Sequence, residues 1–215
     1  MSDGRLPDCV CVIDDDAEVR GSIGSLLRSS GFDVRLYDSP GAFLDAGQPQ
    51  VPSCLVLDIR LSGESGLDFQ ERLAGHGIAL PVVLITGHGD IPMTVRGMRA
   101  GAIDFLPKPF DDDQLLGAVT SAIAVDRTRR EAAVDAAELK AAFANLTPRE
   151  QEVMGLVVTG LMNKQVAARL ELSEITVKIH RGNVMRKMAA QSLADLVRMA
   201  EQLGVRDETI HRYHT

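Results

Sequence analysis

No apolar stretch in this 215-residue chain approaches the roughly 18 consecutive residues that a membrane-spanning helix needs, so no such span is predicted. The opening residues MSDGRLPD carry two acids and no apolar block, so a secretory leader is not expected. Cysteine is scarce. Cys9, Cys11 and Cys54 form no C-x-x-C pair and no zinc spacing. Each lies in an apolar, strand-like run, which marks them as reduced core residues of a cytosolic protein. No internal repeat of fixed period is present. These absences argue against a membrane span, a disulfide scaffold and a repeat array. They leave an ordinary globular composition, 45% apolar and 25% charged.

Charge is unevenly placed. The formal net charge of −7 divides into −9 over residues 1–125, zero over 126–144 and +2 over 145–204. An acidic front and a mildly basic back predict two domains with different partners.

Residues 8–125 alternate between two periods. DCVCVI, FDVRLY, SCLVLD, PVVLIT and IDFL read as strands. AEVRGSIGSLLRSSG, a short helix capped by Ser39, GLDFQERLAGHG, IPMTVRGMRAGA and DDDQLLGAVTSAIAV read as helices. Five strands alternating with five helices predict a parallel sheet covered on both faces, with any ligand at the carboxyl ends of the strands.

Those ends carry the chemistry. The first strand runs into Asp14, Asp15 and Asp16, the third ends at Asp58, the fourth at Thr86, and the fifth reaches Lys108–Pro109. Three adjacent carboxylates repel one another unless a cation or a proton intervenes. Carboxylates from two neighbouring strands suit a hard divalent cation such as Mg²⁺. A carboxylate beside that cation, with a lysine and a threonine to neutralise transferred oxygens, can accept a phosphoryl group. Asp14 and Asp15 are therefore read as holding a metal for a reaction at Asp58, and Asp16 as the cap of the next helix. Any one of these residues alone would pass for a helix cap, a turn residue or a solvated charge; the signal is their joint occurrence at corresponding strand ends. Asp14-x-Asp16 also suits the nucleophile strand of aspartate-dependent phosphatases, but this chain has Glu18 where those enzymes carry Thr or Val, and no large cap domain.

On these residues, the segment 8–125 resembles the receiver domain of bacterial two-component response regulators, and TGHGDIPMTVRGMRAGAIDFLPKPF resembles receivers of the FixJ type. The resemblance implies a flavodoxin-like, doubly wound parallel sheet of strand order 2-1-3-4-5. It implies that Asp58 accepts a phosphoryl group from a sensor histidine kinase. Mg²⁺ would be held by Asp15, Asp58 and the backbone carbonyl of Arg60, with Asp14 acting largely through a metal-bound water. Thr86 and Lys108 would contact the phosphoryl group, Phe105 would stand as the aromatic switch, and Lys108–Pro109 would be cis. One departure is Ser62, where such receivers usually carry proline four residues after the acceptor. Proline would stiffen that loop without adding chemistry, so Ser62 is expected to bear on phosphorylation kinetics rather than on phosphorylation itself.

Residues 124–144 are Ala-rich, charged and free of Gly and Pro, which predicts a helical linker continuing the last receiver helix. Beyond it, LTPREQEVMGLVV, NKQVAARLEL, SEITVKIHRGNVMRKM and SLADLVRMAEQLG read as four short helices, the first three starting at Thr147, Asn163 and Ser173. The second and third, joined by a brief turn, have the spacing of a helix-turn-helix. In the third, Val177, Val184 and Met188 share one face. Ile175, Lys178, Ile179, Gly182, Asn183 and Arg186 lie opposite, a basic side narrow enough to approach a major groove. A solvated amphipathic helix is the plainer account, but it explains poorly a basic cluster in an acidic protein.

Residues 146–204 resemble the LuxR/FixJ-type helix-turn-helix. The resemblance implies that Lys178, Ile179 and Gly182 face base edges and that Lys164, Arg181, Asn183 and Lys187 reach phosphate or sugar. Glu150 and Glu152 are read as surface or intradomain ion-pairing positions, and His180 as a packing residue. The reading is thus a receiver domain at 1–125, a linker at 126–144 and a DNA-binding domain at 145–215. It implies a cytoplasmic transcription regulator, not an enzyme beyond its own phosphoryl transfer. Its partners would be a histidine kinase, promoter DNA, a second copy of the chain and RNA polymerase. The dimer would form through IPMTVRGM and DFLPKPF. The competing class is a phosphate-independent DNA-binding module whose acid cluster holds only a cation or another effector. The tail 207–215 is expected to fray.

Overall fold

The computed structural model describes residues 6–87 and 91–205. The expected fraying at 207–215, and His88–Asp90 within the FixJ-like stretch, lie outside the described residues. Two compact units divide the chain, Met1–Arg130 and Glu131–Thr215.

The first unit is a doubly wound α/β sheet. Strands β1 (Cys9–Ile13), β2 (Asp33–Tyr37), β3 (Ser53–Asp58), β4 (Val82–Thr86) and β5 (Ala102–Pro107) are all parallel, in the order β2-β1-β3-β4-β5. β1, β3 and β4 are buried along their whole length, which is why they read as continuous apolar runs rather than alternating ones. Side-chain alternation divides them between two cores: Cys9, Cys11 and Ile13 face one layer of helices, Val10 and Val12 the other. All three cysteines are buried in these cores and none is in a disulfide. Helices α1 (Ala17–Ser29), α2 (Pro40–Ala46), α3 (Gly66–Arg72), α4 (Ile91–Arg99) and α5 (Asp112–Ala144) connect and cover the strands, with a 3₁₀ turn at Leu73–His76. Asp16 caps α1, its carboxylate accepting from the Glu18 and Val19 N–H groups, and Ser39 caps α2 ahead of Pro40.

A buried acid ties α5 to the amino end of β3. Asp126 is fully buried and accepts from the Ser53 N–H (2.9 Å), from Arg130 Nε (2.6 Å) and from the Arg129 guanidinium. Arg130 also donates to the Pro49 carbonyl at 2.9 Å, and Arg129 to that of Ala79. A buried carboxylate is tolerated when its lone pairs are this fully used.

The second unit is all-helical: α6 (Pro148–Val157), α7 (Asn163–Leu170), α8 (Glu174–Lys187) and α9 (Leu193–Leu203) enclose Val153, Met154, Val166, Val177, Val184 and Leu196. Leu139 and Phe143, from the last turns of α5, pack against that core. Thr147 and Ser173 cap α6 and α8 as expected, and Glu150 completes a capping box with Thr147. The cap of α7 is Met162, not Asn163. The Gln165 side-chain oxygen accepts from the Met162 N–H at 2.8 Å, so Asn163 becomes the first helical residue and its side chain is released for another contact. The turn between α7 and α8 passes through Glu171 in the left-handed region, φ 56°.

Candidate functional site

The carboxyl ends of β1, β3, β4 and β5 meet at one edge of the sheet, because the strands are parallel and in register. Asp14 is fully buried, Asp58 is 5% exposed and Asp15 is open to solvent; one oxygen from each lies within 4.8 Å of the others. Lys108 crosses from the β5 side, donating to Asp14 Oδ2 at 2.8 Å and standing 3.5 Å from Asp58 Oδ1. Asp14 is fixed further by the Asp16 N–H on Oδ1 (2.9 Å) and by Arg20 Nη1 on its carbonyl (2.5 Å). The Lys108 N–H donates to the Thr86 carbonyl at 2.7 Å, and the Lys108–Pro109 bond is cis. Thr86 is buried at the end of β4, and Phe105, half-buried on β5, packs against the first core.

Asp58 has a perturbed carboxyl. Burial pushes its carboxyl above the ordinary range; the Lys108 ammonium opposes this and the Asp14 charge reinforces it. Asp58 Oδ1 is buried and makes no hydrogen bond among the described residues, an unusual cost unless a ligand completes it. Three convergent carboxylates with one oxygen unsatisfied fit a hard divalent cation.

α3 supports Asp58 from behind. The Gly66 N–H donates to the Ile59 carbonyl at 2.9 Å, and a β-carbon at Gly66 would overlap the Asp58 carbonyl. Ser65 caps the helix. Ser62 makes a contact the sequence did not disclose: its N–H (3.0 Å) and its hydroxyl both donate to Asp15 Oδ2. The hydroxyl is the main reason the Asp15 carboxyl lies below the usual carboxylate range.

In the second unit α8 presents the side foreseen from its spacing. Val177, Val184 and Met188 are buried, whereas Lys178, Gly182 and Arg186 are exposed, with Ile175 at 74% and Ile179 at 59% exposure. Lys164 is exposed near the start of α7. Arg181 donates to Asn163 Oδ1 at 3.2 Å, using the side chain released by the cap at Met162. Lys187 turns inward, donating to Glu150 Oε2 at 2.6 Å and to the Asn145 carbonyl at 3.1 Å. His180 is half-buried, consistent with packing. Glu150 is itself buried, so the intradomain alternative for that residue holds; Glu152 pairs with Arg149 at the surface.

The sequence comparisons agree with this division. Residues 10–120 match the response regulator receiver domain family, and residues 144–200 match the bacterial regulatory proteins of the luxR family. Nodulation protein W of Bradyrhizobium diazoefficiens is 58% identical over 91% of this chain and 86% of its own length. Among solved structures, the response regulator StyR shares 47% identity with a TM-score of 0.82, covering 92% of this chain and all of its own. Full-length FixJ from B. japonicum shares 41% identity with a TM-score of 0.55, covering 93% of this chain and 98% of its own. A parallel sheet with an acid cluster at its carboxyl edge, followed by a helix-turn-helix with a basic outer face, therefore has its relatives end to end: the chain belongs to the two-component response regulators that join a receiver to a LuxR-type DNA-binding domain.

Proposed function

We propose that Asp58 is the phosphoryl acceptor through which this transcription regulator is controlled. The observation that carries this reading is the buried Oδ1 of Asp58, which makes no hydrogen bond among the described residues and is ion-paired at 3.5 Å with Lys108, beside Asp14 and Asp15. The carboxylate oxygen attacks the phosphorus of a phosphohistidine donor. The P–N bond breaks, its electron pair and a proton go to the departing imidazole, and an aspartyl phosphate remains. A divalent cation, Mg²⁺ by the chemistry of the donor set, would be held by Asp15, Asp58 and the Arg60 carbonyl, with Asp14 nearby, and would neutralise charge building on the phosphoryl oxygens. Lys108 holds its ammonium where it can pass from Asp14 to those oxygens, and the Thr86 hydroxyl and the Phe105 ring are the groups that then rearrange. A module regulated only by a cation would use Lys108 solely as the counter-ion of Asp14 and Asp58.

The output surfaces follow from exposure and charge. α4 presents Ile91, Val95 and Met98 to solvent beside β5, an apolar strip suited to a second copy of the chain. On α8, Lys178, Ile179 and Gly182 form the side offered to base edges, with Lys164, Arg181 and Asn183 toward phosphate and sugar. Lys187 we assign instead to the domain's own framework, because Glu150 and Asn145 hold its ammonium. The receiver spans 1–125, the linker 126–144 and the DNA-binding domain 145–215, in a cytoplasmic protein.

Incubating the full chain with an acyl-phosphate donor and Mg²⁺, then reading intact mass and operator binding, tests the proposal. Single, stoichiometric phosphorylation that is lost in Asp58→Asn, accompanied by tighter DNA binding in the wild type alone, is expected. Full labelling of Asp58→Asn would overturn the assignment.

A further inference from the structure

Ser62 occupies the position where receivers usually place proline, and it is not a passive replacement. Proline has neither an N–H nor a hydroxyl; Ser62 uses both, and both fall on the same oxygen, Asp15 Oδ2. The two residues come from different loops, one following β1 and the other following β3, so the contact ties together the two segments that flank Asp58. Asp15 is the exposed member of the acid cluster and the one with most rotameric freedom to lose. The loop is shaped for this approach: Gly63 has φ +103°, Arg60 and Ser65 form an isolated antiparallel bridge, and Gly66 closes the turn on the Ile59 carbonyl.

We propose that Ser62 is a positioning residue for the cation site, holding Asp15 by one carboxylate oxygen so that the other is directed to a divalent cation shared with Asp58. This rests on the receiver reading of the site. Outer groups that hydrogen-bond a ligating carboxylate fix its orientation, and their removal commonly weakens metal binding by about ten-fold or more. A competing role, in which Ser62 occupies Asp15 at the cation's expense, requires the opposite sign.

Titration calorimetry of the full chain with MgCl₂ separates these outcomes, because it reads binding rather than phosphorylation. Ser62→Ala keeps the N–H and loses the hydroxyl; Ser62→Pro loses both; Ser62→Thr keeps both. We expect Mg²⁺ affinity to fall in Ser62→Ala, to fall further, by about ten-fold, in Ser62→Pro, and to stay near wild type in Ser62→Thr. Unchanged or tighter binding in both Ser62→Ala and Ser62→Pro would overturn the proposal. Loss of affinity in Ser62→Thr as large as in Ser62→Ala would also overturn it, since shape rather than hydrogen bonding would then be at work. Asp15→Asn serves as the control for the underlying reading. If that variant binds Mg²⁺ as wild type does, Asp15 is not a ligand, and the cation-site assignment fails together with the role given to Ser62; if Asp15→Asn binds more weakly, the assignment stands and the Ser62 series alone decides the proposal.

Discussion

Replacing Glu150 by Gln tests whether Lys187 belongs to the fold or to the DNA interface. Glu150 Oε2 accepts from Lys187 Nζ at 2.6 Å and from the Thr147 N–H at 2.8 Å. The Lys187 hydrogen bond first, and the Thr147 N–H second, hold its carboxyl at about 2 against an ordinary 4.5. That depression corresponds to roughly 3 kcal/mol of preference for the charged form. Because Lys187 keeps 27% of its side chain in water, about 2 kcal/mol is the expected loss in Glu150→Gln, within the range for hydrogen bonds to charged groups. A carboxyl with a lowered native pKa stabilises above its unfolded value. The stabilisation should therefore be full above pH ~5 and decline as the pH falls through 4.5 toward 2. Two compact units make a single unfolding free energy ill-defined, so the assay is hydrogen exchange on peptides covering 144–157 in the full chain. Protection there should drop in Glu150→Gln at neutral pH, and in the wild type on acidification. Lys187→Met should show the same loss while leaving the dependence of DNA affinity on salt unchanged. Equal protection in wild type and Glu150→Gln, or a salt slope reduced by about one in Lys187→Met, would refute the argument, because a phosphate contact contributes about that much.

Two further substitutions probe the receiver's framework. Gly66→Ala places a methyl group against the Asp58 carbonyl, so α3 or β3 must shift; we expect a folded protein, by circular dichroism, whose phosphorylation rate with an acyl-phosphate donor falls at least ten-fold. Asp126→Ala leaves Arg129, Arg130 and the Ser53 N–H without their shared acceptor. Because both arginines keep part of their side chains in water, the loss should be that of the buried Ser53 N–H and its partner, about 1–3 kcal/mol, read as a lowered thermal midpoint and loss of exchange protection around residues 49–53 and 126–130.

Much of the receiver was legible because its signals are local. A run such as SCLVLD is apolar on every residue only if both faces are covered, and an acid closing it must sit at the sheet's carboxyl edge. Asp14, Asp15, Asp58, Thr86 and Lys108 could be brought together on that basis alone. The Asp15–Ser62 contact could not be, since it spans 47 residues and depends on the path of a loop. Asp126 was equally hidden. It lies in a charged, alanine-rich stretch that reads as solvated, and two of the groups its cluster uses, the Ser53 N–H and the Pro49 carbonyl, are backbone atoms with no side-chain signature. The intradomain partner of Lys187 was hidden for a related reason. A lysine on a basic helix looks available until its partner is known, although Glu150 announced itself three residues after Thr147 as half of a capping box.

The same arrangement explains why phosphorylation at Asp58 would be felt beyond the acid cluster. Three carboxylates face one ammonium, and that ammonium is hydrogen-bonded to Asp14 while Asp58 holds an unsatisfied oxygen 3.5 Å away. A phosphoryl group adds about −1.5 to −2 of charge at neutral pH, in a site whose burial already disfavours the ionised form of Asp58. Lys108 Nζ already lies 3.5 Å from Asp58 Oδ1, so phosphorylation is expected to draw its balance between Asp14 and position 58 toward 58. Its backbone is tied to Thr86 through the bond from the Lys108 N–H to the Thr86 carbonyl. The residue that would rearrange is thus also bonded, through its backbone, to the end of β4, from which the chain runs on to α4 and its exposed apolar strip.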